Sequence, residues 1–335
     1  MFCIFGFDDI SGGPSSSSAS VVVLEIDGSK LTLNDFERKH PSTLVQARNA
    51  FYQSEIKALG EFATEYLLER QAQKENVSVS ELLERHANSV VAQQEPSEEA
   101  LRLYYEGMES KEPYEAMRAG ITEHIRQSRI LKAKAAYVQA LRSKANVVIR
   151  LAPPRAVVSL KNTPVRGVAD APVTIVEYAD YECPYCQQAR PVLDKLEADY
   201  KGKVLFAYKD LPLPMHPHAQ KAAEAAHCAG AQGKYWEYHD LLFKSKQLEI
   251  SQLKESARAL NLDTKAFDKC LDSGEQSEVV KAQFAEGQGL QLQGTPSFFI
   301  NGRFFSGGFT FEEVQGILAE ELGTSSAQVA EAPNR

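Results

Sequence analysis

The residues of this chain best equipped for chemistry are Cys183 and Cys186, in the stretch VTIVEYADYECPYCQQARP (Val173–Pro191). Such a pair can hold a metal, brace a fold or exchange electrons. A structural zinc site takes four ligands, usually two such knuckles or one knuckle with paired histidines. Here the Cys-x-x-Cys stands alone. Cys228 and Cys270 are not in knuckles, and His216 and His218 fall in the proline-broken segment PMHPHA, which reads as lining a surface. No metal is expected. Position favours redox chemistry instead. Cys183 falls where an apolar strand ends and a helix begins, with Pro184 at the first helical position. Its sulfur would meet free amide N–H groups and the positive helix end, which can lower a thiol pKa from ~8.5 to ~3.5–7.5. A stabilised thiolate leaves readily and makes the disulfide more oxidising. Cys183 is therefore expected to be the solvent-reachable nucleophile. Cys186, one turn into the helix, is its shielded partner. Pro184 and Tyr185 between them are the candidates for tuning the pair.

Two further elements belong with the dithiol. Glu177 lies six residues before Cys183 in an apolar run. Read as a buried carboxylate beneath the dithiol, it would take or return the proton of Cys186, and burial would raise its pKa toward the working range. The other reading is a solvated strand-end carboxylate. In GTPSFF, a Thr295–Pro296 bond in the cis form would free the Thr295 backbone to pair with an extended client, as an added strand does. A trans turn is the ordinary alternative, since only about 5–6% of X–Pro bonds in folded proteins are cis.

The elements that must position these residues divide the chain in two. Residues 1–20 hold SGGPSSSSAS and read as a flexible segment. From Val21 to about Leu151 the pattern is mostly helical. It opens with the strand run VVVLEI and an Asp27-Gly28 turn. A short helix capped by Thr32 with Asp35 follows, then helices over about Leu44–Lys74, after the Ser78/Glu81 capping box, over PSEEALRLYYEG, and over about Tyr114–Ser143. The closing run NVVIRL reads as a strand that pairs with the opening one. After Pro153-Pro154 the composition changes. VVSL, PVTIVEYA, KVLFAYKDL and SFFINGRFF read as strands, the last with an Asn301-Gly302 hairpin turn, and helical runs lie between them. Alternating strands and helices indicate an α/β sheet. The tail 324–335 reads as disordered.

Bulk properties set limits. With 335 residues, 43% of them hydrophobic, there is material for two cored domains. A net charge of −8 disfavours nucleic acid and anionic membrane as partners. No run approaches the roughly 18 apolar residues of a membrane span. MFCIFGF lacks a basic lead and a hydrophobic core of about 7–15 residues, so it does not read as a signal peptide, and no lipid-anchor segment precedes Cys3. Four of the five cysteines follow residue 180, an even set compatible with an oxidising compartment.

The stretches APVTIVEYADYECPYC, KDLPLPMHPHAQKAAEAAHCAG, GKYWEYHDLLF and GTPSFFINGRFFSGG together resemble the DsbA-like branch of the thioredoxin superfamily, over about Val157–Leu322. The resemblance implies an α/β thioredoxin fold over 156–323 with a helical insertion at about 216–288. It places Glu177, Cys183, Cys186, Thr295 and Pro296 at functional positions, Pro296 being cis. It also implies a membrane quinone-linked oxidase as redox partner. VVVLEIDGSKLTLNDFE, NVSVSELL, PSEEALRLYYE and ANVVIRLAPPR are similar to the N-terminal chaperone module of SurA-type foldases, over residues 21–155. GMESKEPYEA leaves no room for a prolyl-isomerase domain. The other reading of this half is a dimerising or spacing module. Both resemblances imply export, to the periplasm or cell envelope, which the visible start does not support. In an oxidising envelope Cys228 and Cys270 are expected to pair as a structural disulfide, the alternative being two buried free thiols.

The expected fold class is thus α/β thioredoxin with a helical insertion, preceded by a mainly α-helical domain. The expected function is an extracytoplasmic thiol–disulfide oxidoreductase acting on thiol-bearing secreted proteins, with no cofactor beyond its own redox-active disulfide and homodimerisation open to the first half. The alternatives are a non-catalytic holdase, for which the dithiol would be dispensable, and a cytosolic glutaredoxin-like reductase.

Overall fold

The computed structural model describes residues 22–40, 42–91, 95–245, 247–305 and 310–323. The tether at 1–20, Cys3 and the tail at 324–335 lie outside the described residues. Strands β1 (Val22–Ile26) and β2 (Ser29–Thr32) form an antiparallel hairpin. Its turn, Asp27-Gly28, has both φ angles positive, at 49° and 79°. That is the geometry for which Asp-Gly is preferred in two-residue hairpins. Helix α1 (Leu33–Lys39) opens on a capping box in which Thr32 and Asp35 satisfy each other's backbone N–H. Helices α2 (Val45–Glu75), α3 (Val79–Val91), α4 (Glu98–Glu106) and α5 (Tyr114–Lys144) follow.

One expectation fails here. Residues 146–150 form no strand, and the partner of β1 is β2 rather than the closing run. A two-residue turn closes at far smaller entropic cost than a loop of more than a hundred residues, so the local pairing wins.

Contacts divide the chain into two compact units, Gln53–Leu151 and the remainder. The helical unit therefore begins within α2, not at residue 21. Val45, at the start of α2, belongs to that remainder and is buried with its Ala156, Val176 and Leu290. Within Gln53–Leu151, Leu82, Ala87 and Val91 form the buried stripe of α3, and Leu101 of α4 packs on Tyr114 and Ile121 of α5. Glu98 accepts from the Tyr114 hydroxyl at 2.7 Å and pairs with Arg118 at 2.9 Å, which fastens α4 to α5.

The other unit holds β3 (Val165–Gly167), β4 (Val173–Ala179), α6 (Pro184–Asp199), β5 (Val204–Asp210), α7 (Ala219–Gly230), α8 (Tyr235–Lys244), α9 (Ile250–Ala259), α10 (Thr264–Ser273), α11 (Ser277–Gly289), β6 (Ser297–Ile300), β7 (Arg303–Phe305) and α12 (Phe311–Glu321). The sheet order is β3-β5-β4-β6-β7. β4 and β5 run parallel, joined through α6, and the remaining pairs are antiparallel. The VVSL run is not a strand. The edge beside β5 is taken by β3, which the sequence reading passed over. Alternation along β4 sends its side chains to opposite faces. Val173 and Ile175 meet Leu193 and Leu196 of α6 and Val314 and Leu318 of α12. Val176 and Tyr178 meet Ala207, Leu211, Leu290 and Phe299 on the reverse. The β6–β7 turn, Asn301-Gly302, again has two positive φ angles, 48° and 80°. A Cβ at Gly302 would stand 2.4 Å from the Ala156 carbonyl oxygen, so this position is closed to any side chain.

Helices α7–α11 are inserted between β5 and β6 and make a third core. Ala222, Ala225, Ala226 and Ala229 of α7 are buried with Tyr238, Leu242, Leu253, Phe267 and Leu271, and the same cluster reaches Cys183 and Cys186. Cys228 of α7 and Cys270 of α10 are joined by a disulfide, with Cα atoms 5.9 Å apart and a sequence separation of 42. Both are buried. Closing a loop of that length contributes about 4 kcal/mol in the chain-entropy model. The Cys228→Ser/Cys270→Ser double variant should lose about 2–4 kcal/mol by urea unfolding while the Cys183 thiol titrates as before.

Candidate active site

Cys183 is the N-cap of α6, with φ −74° and ψ 121°, and Pro184 is the first helical residue. The chain enters extended from β4, turns at Cys183, and leaves the first-turn amides pointing at its sulfur. The Cys183 thiol donates to the Thr295 carbonyl oxygen, 3.4 Å from the sulfur. The Thr295–Pro296 bond is cis. Both cysteines are free thiols. Cys183 keeps only 3% of its surface exposed and Cys186 none, so Cys183 is much less open than its position in the sequence implies. Tyr185 between them is 67% exposed.

The two thiols are pushed apart electrostatically. Cys183 falls to about 5. The Cys186 thiol, donating to it, is the largest cause. Burial opposes this, and the Thr295 side chain and the Cys186 and Tyr185 backbone N–H groups add to the lowering. Among the described residues the Thr295 hydroxyl has no other hydrogen-bond partner. Cys186 is raised, first by burial, then by its role as donor to Cys183 and by the charge of Glu177. In the reduced protein, iodoacetamide should label Cys183 with a midpoint near pH 5 and leave Cys186 unlabelled to well above pH 9. Labelling of Cys186 first would reverse the assignment.

Glu177 lies on β4, on the face that carries Ile175, between its cross-strand neighbours Tyr208 and Phe298. It is 5% exposed. One carboxylate oxygen, Oε2, accepts from Arg190 at 3.1 Å, and among the described residues Oε1 has no partner. Burial lifts its pKa to about 7 against the pull of Arg190, while Glu197 and Asp194 push it further up. Arg190 is spread over three carboxylates, reaching Asp194 at 3.1 Å and Glu197 at 3.7 Å as well. The sequence reading missed Arg190. The signal was there: it follows Cys186 by four residues, and i,i+4 residues share a helix face.

A second polar set was also missed. Asp180, whose side chain is fully buried, accepts from the Glu182 N–H at 2.7 Å, the Leu213 N–H at 2.8 Å and the His216 Nδ1 at 2.7 Å. Glu182 Oε2 accepts from the His218 N–H at 2.8 Å. The loop after β5 is thus fastened to the loop carrying Cys183. Parallel neighbours release their following loops at the same sheet edge, so His216 was bound to emerge at the edge where the loop carrying Cys183 lies. Among the described residues no helix is long and apolar enough to cross a membrane.

The thioredoxin family model matches residues 159–320. The chain is 43% identical over 157 residues to a Na(+)/H(+) antiporter NhaA 1 of Salinispora arenicola, covering 46% of this chain and 24% of that protein. It spans about a quarter of the length of the curated relatives it matches. Among solved structures it is similar to oxidised BdbD of Bacillus subtilis, at 23% identity over 51% of this chain and 98% of that one, with a TM-score of 0.48. It is also similar to a thioredoxin-like oxidoreductase of Silicibacter pomeroyi, at 28% identity over 49% and 94%, with a TM-score of 0.45. With its sheet order, its Cys-Pro-Tyr-Cys helix start and the family-model match over residues 159–320, the C-terminal half of the chain is a thioredoxin-like domain, preceded by a largely helical region.

Proposed function

We propose that this protein is a thiol–disulfide oxidoreductase that forms or rearranges disulfides in thiol-bearing client proteins. The observation that carries the reading is the split between the two thiols: Cys183 drawn down to about 5 at a helix start, and Cys186 beside it buried and raised. With the pair oxidised, a client thiolate attacks the Cys183 sulfur. The Cys183–Cys186 bond breaks, and Cys186 leaves with the electron pair and is protonated, Glu177 being the proton donor. A second client thiolate then attacks the client sulfur of the mixed disulfide and expels Cys183 as thiolate. The client has lost two electrons and the dithiol has gained them. In the reverse sense, the Cys183 thiolate attacks a wrong client disulfide. Thr295 and Pro296, beside the Cys183 sulfur, are the proposed client-strand contact, and Pro184 and Tyr185 the tuning residues.

A compartment where disulfides persist suits such a protein, and the Cys228–Cys270 bridge favours it. We therefore place it in the cell envelope or periplasm, recharged by a membrane redox partner. The helical unit is proposed to hold unfolded clients, as a SurA-type module would, or to self-associate. Leu59, Phe62 and Tyr66 of α2, at helical spacing, are 41%, 65% and 57% exposed.

The test is oxidation of a reduced, unfolded model substrate with several thiols, using the oxidised full chain in stoichiometric excess. The wild type should transfer its disulfide, and the Cys183→Ser/Cys186→Ser double variant should not. If both suppress aggregation equally and neither changes the substrate's thiol count, the protein is a holdase.

A further inference from the structure

His216 has no part in the exchange steps above, yet the fold ties it to the turn that carries Cys183. It enters from the loop after β5, and Nδ1 lies 2.7 Å from Asp180 Oδ2. Asp180 cannot turn away, because its two oxygens also accept the Glu182 and Leu213 backbone N–H groups. The Asp180 carbonyl in turn accepts the Cys183 N–H at 3.1 Å, so imidazole, carboxylate and nucleophile are parts of one bonded turn. The imidazole is 17% exposed, at the rim of the site. Among the described residues, the charged groups that act on it are Asp180, Cys183 and Glu182, all negative when ionised.

We propose that His216, oriented by Asp180, is a positioning residue that keeps a positive charge beside the Cys183 thiolate, so that the entry loop of the helical insert sets how oxidising the disulfide is. The inference rests on the exchange reading of Cys183 and Cys186 but is tested apart from it. Burial works against the imidazolium, but the Asp180 carboxylate, with Cys183 and Glu182 behind it, outweighs burial and raises the His216 pKa. An opposite charge near a thiolate stabilises it, and with it the reduced protein. The coupling is reciprocal. What the imidazolium does for the thiolate, the thiolate does for the imidazolium by the same factor.

The first measurement needs no substitution. The His216 ring resonances of the full chain are titrated with the dithiol reduced and again with it oxidised. The midpoint should be lower by about half a unit or more in the oxidised protein, where no thiolate exists. Equal midpoints overturn the proposal. The second is the thiolate absorbance of reduced His216→Gln and His216→Lys. The Cys183 midpoint should rise by about half to one unit in the first and return toward wild type in the second. A Cys183 midpoint unmoved by His216→Gln also overturns it. Neither measurement uses a client. A protein that fails to oxidise clients but shows both shifts refutes the exchange reading alone, and the opposite pattern refutes the role of His216 alone.

Discussion

Cys186→Ser should trap the client. A reduced Cys186→Ser protein mixed with a disulfide-bearing client should accumulate a mixed disulfide through Cys183, stable to non-reducing electrophoresis. Turnover should fall on the order of 10³-fold or more, the scale for loss of a covalent-catalysis group. The reason is geometric: Cys186 is the thiol placed against Cys183, and its removal leaves no intramolecular sulfur to release the client. Its loss also removes the largest single stabiliser of the Cys183 thiolate, so the Cys183 midpoint should move up from about 5. Cys183→Ser should give no adduct at all, because Cys186 has no exposed surface. An adduct through Cys186 in that variant would invert the roles.

Glu177→Gln should have the second largest effect, on rate and on stability. Release of the mixed disulfide near neutral pH should slow about 10²-fold, the lower range for loss of a general acid or base. The stability effect has a definite sign. The carboxyl titrates at about 7 in the fold against an ordinary 4.5, because burial favours its neutral form. Its contribution is complete below about pH 4.5 and is lost as pH rises through 7. At about 1.36 kcal/mol per pH unit, that loss amounts to about 3 kcal/mol by pH 8. Gln cannot ionise. In the disulfide form, where Cys183 does not titrate, Glu177→Gln should match wild type near pH 4 and exceed it by up to about 3 kcal/mol at pH 8. Arg190 retains Asp194 and Glu197 in the variant. The reduced protein adds an opposing slope. The depressed Cys183 thiol contributes stability that is present above its ordinary 9.0 and lost as pH falls through about 5. Urea midpoints of both redox forms between pH 4 and 8 separate the two groups. A wild-type curve that does not weaken between pH 5 and 8 in the disulfide form would mark Glu177 as a passive carboxylate.

The parts of the site that were legible are those determined by local chemistry. A proline directly after Cys183 and an apolar run before it locate a helix start at a strand end, and β4, α6 and β5 follow in that order. The Asp27-Gly28 and Asn301-Gly302 turns were readable because few residues tolerate two positive φ angles in succession. What escaped depends on register and on long-range partners. Whether NVVIRL pairs is decided by competition with a nearer hairpin, and periodicity does not report that. The β3 edge strand is three residues long, too short to show alternation. Arg190 and His216 acquire meaning only once α6 lies across β4 and the loop after β5 emerges at the same sheet edge. Until then each is a charged or polar residue among many. The near burial of Cys183 was missed for the same reason, since Thr295 lies on it from 112 residues away.

The central claim is that Cys183–Cys186 is a redox pair and not a brace, and its reduction potential is the direct test. The full chain should be equilibrated at pH 7 over a series of reduced-to-oxidised glutathione ratios, quenched with acid, and the Cys183–Cys186 pair quantified by peptide mapping. A thiolate at about 5 stabilises the reduced form, so the pair should exchange freely and reach half-oxidation at a potential above about −200 mV, the region of the more oxidising exchange proteins. Cys228–Cys270 should stay oxidised throughout. A Cys183–Cys186 pair that does not equilibrate with glutathione, or one poised below about −300 mV as structural disulfides are, would contradict the account.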